Sequence, residues 1–303
     1  MRSLTVDFVL RSTAAFLGQK GLPSARLEAE LLLAFVLGLD RLQLYLQFDR
    51  PLTPQETTDY KSVIKRRLSG EPLAFITGKK SFLKWDFSVN SSVLIPRPET
   101  ELLVERTCAL VRTRQQTEAP AEATSATGER DEKRLLELGT GSGVIAISLA
   151  LYLPEVRIDA VDISPQAVTV AMENARRLGV AERITFYTGD LFAPLPTTER
   201  YMGIVSNPPY IPTAELATLS KEVRAEPVIA LDGGADGLDF YRRIIVSAGE
   251  YLGADGFLAF EHGYDQAAFI SDLAKQAGYD KINSYKDAAG YDRVLICSRS
   301  AIT

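Results

Sequence analysis

The sequence predicts an α/β fold: a mostly parallel sheet covered by helices on both faces, behind a small N-terminal helical domain. Three observations carry that expectation. After Lys133, short apolar runs alternate with helical periods almost to the C-terminus. Before residue 72 the apolar spacing is helical throughout. Charge divides near the same place, since residues 1–80 hold twelve basic and eight acidic side chains and leave twenty-two basic and thirty-one acidic for the rest.

In the first part, Leu4, Phe8, Leu10, Ala15 and Leu17 recur at helical spacing before Gly18, and a second helix runs from near Ser24 to Gly38. Thr53-Pro54-Gln55-Glu56 has the form of a capping box with proline at the first helical position, and its helix carries Tyr60, Val63, Ile64 and Leu68 to Gly70. Phe75, Ile76, Phe82, Trp85, Phe87, Val89, Val93 and Leu94 then read as short strands of a hairpin. The expected organisation is a helical domain over 1–72, a β-hairpin linker over 73–96 and an α/β domain over 97–303. A helix follows Pro98, and the polar stretch 115–133 reads as a surface loop. Strands are expected at 134–138, 156–161, 184–187, 202–205, 257–260, 281–285 and 293–297. Helices are expected at 143–153, from Ser164-Pro165 to Gly179, at 238–252 and at 265–277. The last two strands, joined by a short turn containing Gly290, predict an antiparallel edge.

Composition removes whole classes of function. The 303 residues are 46% hydrophobic, which excludes a disordered chain, and a net charge of −5 argues against coating nucleic acid by charge alone. Cys108 and Cys297 cannot build a disulfide framework, and a reducing cytoplasm suits them. His262 is the one histidine, so a multi-histidine metal site is excluded and no metal is expected. A Ser-His-Asp or Cys-His hydrolase would depend on that single residue. The longest apolar run, Leu31 to Leu39, is too short to span a bilayer, and Arg2, Asp7 and Arg11 interrupt any signal-peptide core. A cytoplasmic protein without a membrane partner is the expectation.

Glu137-Leu138-Gly139-Thr140-Gly141-Ser142-Gly143 joins a predicted strand to a helix. Its glycines permit tight turning and let a ligand touch the main chain, and the helix N-terminus offers free N–H groups. A dinucleotide fingerprint would place a glycine at 144, where this chain has Val144, so alternating glycines suit an adenosyl ligand without a pyrophosphate. Asp162 ends the second strand, where a carboxylate can accept both ribose hydroxyls; helix capping is the plainer role, and Ser164 is there to fill it. Asp190, in Gly189-Asp190-Leu191-Phe192, can accept from an adenine amino group with Leu191 or Phe192 on the ring face, or be an ordinary turn aspartate. Asn207-Pro208-Pro209-Tyr210 follows the fourth strand. Two prolines lack N–H donors and leave carbonyls that only accept, Asn207 adds a side-chain carbonyl, and Tyr210 offers a face to a planar group. Such a loop can take both hydrogens of a planar NH₂. A rigid turn with a stacked tyrosine is the bland alternative.

With those motifs the sequence resembles the class I S-adenosylmethionine-dependent methyltransferases that modify planar nitrogen, and more narrowly the protein-(glutamine-N5) methyltransferases of bacterial peptide chain release factors. The resemblance covers almost the whole chain. It runs through Gly70-Glu71-Pro72-Leu73-Ala74-Phe75-Ile76-Thr77-Gly78, Leu94-Ile95-Pro96-Arg97-Pro98-Glu99-Thr100-Glu101, Glu137 to Gly143, Ser206 to Ile211, Ala230-Leu231-Asp232-Gly233-Gly234 and Asp236 to Tyr241. Asn-Pro-Pro-Tyr alone occurs also in adenine-N6 DNA and guanine-N2 rRNA methyltransferases; the segment through Pro96 to Glu101 is more restrictive.

The resemblance implies a Rossmann-like seven-stranded sheet behind a substrate-docking helical domain. It implies a cofactor, S-adenosyl-L-methionine, leaving as S-adenosyl-L-homocysteine, on Gly139, Thr140, Gly141, Ser142, Gly143, Asp162, Asp190, Leu191 and Asn207. It implies a substrate glutamine amide held by Asn207, Pro208, Pro209 and Tyr210, with Asn207, Pro208 and Tyr210 serving catalysis, and class 1 release factors as partners of a monomer. Two departures stand out. Some members carry an aromatic residue at the position of Leu191, which leaves ring stacking to Phe192, and His262 stands where an apolar residue is expected, as a local variation rather than a catalyst. A DNA methyltransferase would need a basic target-recognition region that this acidic half lacks, so no direct DNA binding is expected. A non-catalytic module binding a release factor or ribosome remains the reading from a different class.

Overall fold

A computed structural model describes residues 4–117 and 133–299. The first helices are α1 (Val6–Gln19), α2 (Ala25–Leu37), α3 (Arg41–Tyr45), α4 (Pro54–Leu68) and α5 (Leu73–Thr77). The capping box read at Thr53 is formed: the Thr53 hydroxyl accepts the Glu56 N–H at 3.1 Å and Glu56 accepts the Thr53 N–H at 2.8 Å. A second one, Asp40 with Gln43, starts the unforeseen α3. A hairpin follows, of β1 (Lys79–Phe82) and β2 (Trp85–Ser88). Phe75 and Ile76, expected in strands, lie in α5, and Val93 and Leu94 lie in a loop.

Next come α6 (Pro98–Thr117), β3 (Arg134–Leu138), α7 (Val144–Tyr152), β4 (Arg157–Asp162), α8 (Pro165–Arg177), β5 (Ile184–Thr188) and β6 (Tyr201–Ser206). After a stretch of short 3₁₀ turns the chain forms α9 (Asp239–Ala248), β7 (Leu252–Glu261), α10 (Ala267–Gln276), β8 (Lys281–Lys286) and β9 (Asp292–Ser298). The expected loop at 115–133 starts later, because α6 continues to Thr117; its residues 118–132 lie outside the described ones. The helix expected over 238–252 is shorter, and β7 begins at Leu252 rather than 257. Among the described residues no helix is long and apolar enough to cross a membrane.

Seven strands form one sheet in the order β5-β4-β3-β6-β7-β9-β8. The first five are parallel, and β9 runs antiparallel between β7 and β8. Alternation along each strand divides its side chains between the two faces. Leu135 and Val205 join the core that contains α7, while Leu136, Leu138 and Ile204 join the one that contains α9 and α10. From β3 the chain moves outward through β4 and β5, then returns to the other side of β3 with β6. The strand order therefore reverses between β3 and β6, and a crevice opens there at the carboxyl ends.

The chain forms two compact units. One takes the chain up to Lys79 together with Ser220–Ala225; the other takes Lys80–Leu219 and Glu226 onward. The helix α5 thus belongs to the first unit rather than to a linker. Within that unit Arg67, buried at 5% exposure, bonds Glu28 at 2.6 Å and Glu222 at 2.6 Å.

Candidate active site

Parallel register sets four loops side by side. Leu138 pairs with Val161 on one side and Ser206 on the other, and Asp162 pairs with Thr188. The loops after β3, β4, β5 and β6 therefore leave the sheet at one level. They surround a cavity of ≈ 270 Å³ lined by Gly139, Gly141, Asp162, Ile163, Asp190, Leu191, Asn207, Pro208 and Pro209, with Ser92–Leu94, Ile229, Ala230, Phe240 and Arg243.

The glycines of the first loop divide by function. Gly139 (φ 77°) and Gly141 (φ 54°) line the cavity, and a Cβ on either meets no protein atom within 4 Å. Gly143 (φ 83°) is outside the lining: a Cβ there would come 2.8 Å from Ile147 Cδ1 and 3.1 Å from Ala171 Cβ, so this glycine lets α7 and α8 approach. Thr140 and Ser142 are buried beneath the loop, not in the lining. The Thr140 hydroxyl donates to Glu137 Oε2 at 2.5 Å, and the Ser142 carbonyl accepts from Asn174 Nδ2 at 2.9 Å. Glu137 also accepts the Ala146 N–H at 3.1 Å, and complete burial pushes its carboxyl up to about 8.

Asp162 Oδ2 accepts the Gly141 N–H at 2.7 Å and Oδ1 the Ser164 N–H at 2.9 Å. Its carboxylate, raised by burial above the usual range, braces the glycine loop. Ser164 does cap α8, accepting the Ala167 N–H at 3.2 Å. With about four acceptor directions per carboxylate, two remain for a ligand's hydroxyls. Asp190 is exposed and its Oδ2 is held by Arg243 at 2.5 Å. Leu191 lines the cavity with φ 48°, a left-handed backbone uncommon outside glycine and asparagine. The stacking role offered to Phe192 is corrected: its ring is buried in the core against Tyr251, centroids 4.6 Å apart.

After β6, the Ser206 hydroxyl donates to the Leu138 carbonyl at 2.7 Å, holding the loop bases together. Asn207, Pro208 and Pro209 reach the cavity; Tyr210 does not line it and packs against the core, its hydroxyl pushed up to about 12 by burial and nearby Glu261. Asn207 Nδ2 donates to Thr100 Oγ1 at 3.2 Å. Gln266 Nε2 donates to the Tyr210 carbonyl at 2.9 Å. A Cβ on Gly233 would come 2.7 Å from Tyr210 Cα, and one on Gly237 would meet the Tyr210 carbonyl, so both glycines exist to admit this loop. His262 is fully buried outside the lining, its Nδ1 donating to the Gly263 carbonyl at 2.8 Å. Burial lowers its proton affinity and keeps it neutral.

Sequence reasoning missed the second wall. Glu226, nearly buried, accepts the Ile95 N–H at 2.9 Å and an Arg97 N–H at 2.6 Å, joining the loop that carries Ser92–Leu94 to the one that carries Ile229 and Ala230. Arg243 was likewise unmarked and Phe240 was given no place in the site, because only the packing of α9, with Arg243 bonded to Asp190 in the loop after β5, brings them to the cavity.

A sheet of this order, reversed only at β9, with its cavity at the switch point, defines a class I methyltransferase. Residues 9–78 match the family model described as PrmC N-terminal domain, and 123–225 that described as Methyltransferase small domain. The chain is 44% identical over 292 residues to the release factor glutamine methyltransferase of Geobacter sulfurreducens, covering 96% of this chain and 95% of that protein. It is 41% identical to the enzyme of the same name from Moorella thermoacetica, covering 98% and 99%. Among solved structures, a methyltransferase from Pyrococcus furiosus superposes with a TM-score of 0.51 at 17% identity, over 78% of this chain and 97% of that one, which supports the fold. The chain belongs to the release factor glutamine methyltransferase family.

Proposed function

We propose that the protein transfers a methyl group from S-adenosyl-L-methionine to the side-chain amide nitrogen of the glutamine in the Gly-Gly-Gln loop of class 1 peptide chain release factors. With this go action in translation termination, in the cytoplasm, as a monomer and without a DNA substrate. The observation that carries the reading is the shared cavity: the Asn207 amide with Pro208 and Pro209, which lack N–H donors, forms one wall, and the open glycines Gly139 and Gly141 with Asp162 form another. The open space over both glycines and the spare acceptor directions of Asp162 fit an adenosyl group with a ribose diol. Leu191 supplies an apolar contact for a ring, and Asp190 can accept from a ring amino group when it exchanges its bond to Arg243. Thr140, Ser142 and Gly143 support the cradle from below.

When bound, the cofactor supplies an electrophilic methyl on a sulfonium. An amide nitrogen is a weak nucleophile because its lone pair is delocalised, so the protein's work is orientation. The Asn207 carbonyl and the Pro208 carbonyl accept the two N–H hydrogens of the glutamine amide and stabilise positive charge as it develops on nitrogen. Proton loss follows to solvent, which requires no strong base and agrees with a neutral, buried His262. Tyr210 acts as a packing support for this loop.

Mass spectrometry of a release factor after incubation with the cofactor tests the reading, with duplex DNA as a parallel substrate. One added methyl on the Gly-Gly-Gln glutamine is expected, and Asn207→Ala should slow it by about 10²-fold, as for loss of one preorganised polar contact. An unmodified full-length release factor, or methylated DNA, would overturn it.

A further inference from the structure

Asn207 carries a carbonyl and an NH₂ group at nearly equal reach, and the backbone alone does not decide which of them faces the cavity. Only the carbonyl can accept from an amide substrate. We infer that buried Glu261, together with Thr100, is the positioning element that holds the Asn207 amide with its NH₂ inward and its carbonyl toward the cavity. This rests on the amide-methylating reading above.

The register places the pieces. Ser206 pairs with Phe260 in the parallel β6–β7 ladder, so Asn207 and Glu261 leave the two strands side by side. Glu261 is 1% exposed and Thr100 2%. Thr100 Oγ1 takes the bond from Asn207 Nδ2 at 3.2 Å, and the Glu261 carboxyl stands beside both side chains, which offset part of the effect of its burial. With its NH₂ committed to Thr100, the Asn207 carbonyl oxygen is the amide atom left for the cavity that the residue lines. A flipped amide would set its oxygen against a carboxyl oxygen, two acceptors with no hydrogen between them.

Charge is not what the arrangement uses. Glu261 Oε2 has no hydrogen-bond partner among the described residues, which leaves Oε1 as the acceptor available to Thr100 and Asn207. Burial pushes this carboxyl up to about 7, and the proton it then takes belongs on the unpartnered Oε2. Oε1 remains an acceptor in both states. A glutamine at 261 can keep a carbonyl at the Oε1 position; a methionine fills similar volume and accepts nothing.

The test compares Glu261→Gln, Glu261→Met, Thr100→Val and Thr100→Ser by two readouts. The first is hydrogen exchange of the Asn207 side-chain NH₂ in ¹⁵N–¹H spectra, its signal identified by loss in Asn207→Ala. The second is kcat and KM for methyl transfer. Glu261→Gln and Thr100→Ser should keep the slow exchange and hold kcat within about threefold; Glu261→Met and Thr100→Val should speed exchange about tenfold and cut kcat by roughly 10–100-fold with cofactor KM nearly unchanged. If Glu261→Met does not fold, the isosteric Thr100→Val decides. Native exchange and kcat in the accepting-group deletions would overturn the inference, as would Glu261→Gln failing as badly as Glu261→Met, which would assign a role to charge. Should the wild type methylate no glutamine, the functional reading fails, and the exchange data still decide the orientation of Asn207.

Discussion

Glu137 carries two hydrogen bonds, from the Thr140 hydroxyl and the Ala146 N–H, while its Oε1 has no partner among the described residues. Complete burial outweighs those bonds and pushes the carboxyl up to about 8, so near neutral pH it is largely an uncharged acid. The folded state holds this proton above the ordinary carboxylate range and the unfolded state releases it, so the contribution is complete at low pH and is lost as pH rises toward 8. Urea unfolding of wild type and Glu137→Gln at pH 5 and pH 8 should show the wild type losing of order 3 kcal/mol more than the variant, at about 1.4 kcal/mol per tenfold change in proton affinity. Equal pH dependence in the two proteins would exclude it. Glu137 is legible in the sequence as part of a glycine-rich turn, but its protonation state is not. That depends on the layers of α7 and the sheet packed over it.

Within the turn that leads into α7, spacing alone cannot sort the glycines. Gly139 and Gly141 face open space, whereas Gly143 lies against Ile147 and Ala171. Gly143→Ala should therefore destabilise the protein by roughly 2–3 kcal/mol, from left-handed strain together with overpacking. Gly141→Ala should cost only about 1 kcal/mol, since its φ of 54° is the sole strain, while its methyl enters the cavity and weakens cofactor binding. Thermal unfolding and calorimetric titration with S-adenosyl-L-methionine separate the two, and equal stability losses would refute the assignment. The strands β3 through β6 were readable to within a residue or so because their signals are local: apolar runs bounded by glycine, serine-proline caps and asparagine-proline. The segment Arg97 to Glu101 was visible only as a pattern. Its partners are Glu226 for Arg97, Asn207 for Thr100 and the Leu83 N–H for Glu101, and two of these three lie more than a hundred residues away.

On the scale of the molecule, the first unit closes around a segment drawn from the far side of the sequence. Ser220–Ala225 joins the N-terminal helices through Glu222 on Arg67, which also holds buried Glu28. Arg67→Met removes the shared cation and leaves Glu28 buried and unpaired, a loss expected to destabilise that unit by about 3–5 kcal/mol. Hydrogen exchange over α2 and α4 measures it, and unchanged protection there would show the triad to be dispensable.

Local chemistry in the sequence was enough to determine the kinds and order of the elements of the α/β domain, though not helices α3 and α5, and the four loops in which ligand-binding residues would be found. Periodicity, caps and proline-rich turns act over a few residues and leave their marks there. Only the tertiary structure decided that β9 inserts between β7 and β8, that Leu191 rather than Phe192 meets the cavity, that Tyr210 supports the loop from the core, and that Glu261 and Thr100 stand behind Asn207. Those outcomes depend on strand register and on burial between residues far apart in the chain, for which no short stretch of sequence carries a signal.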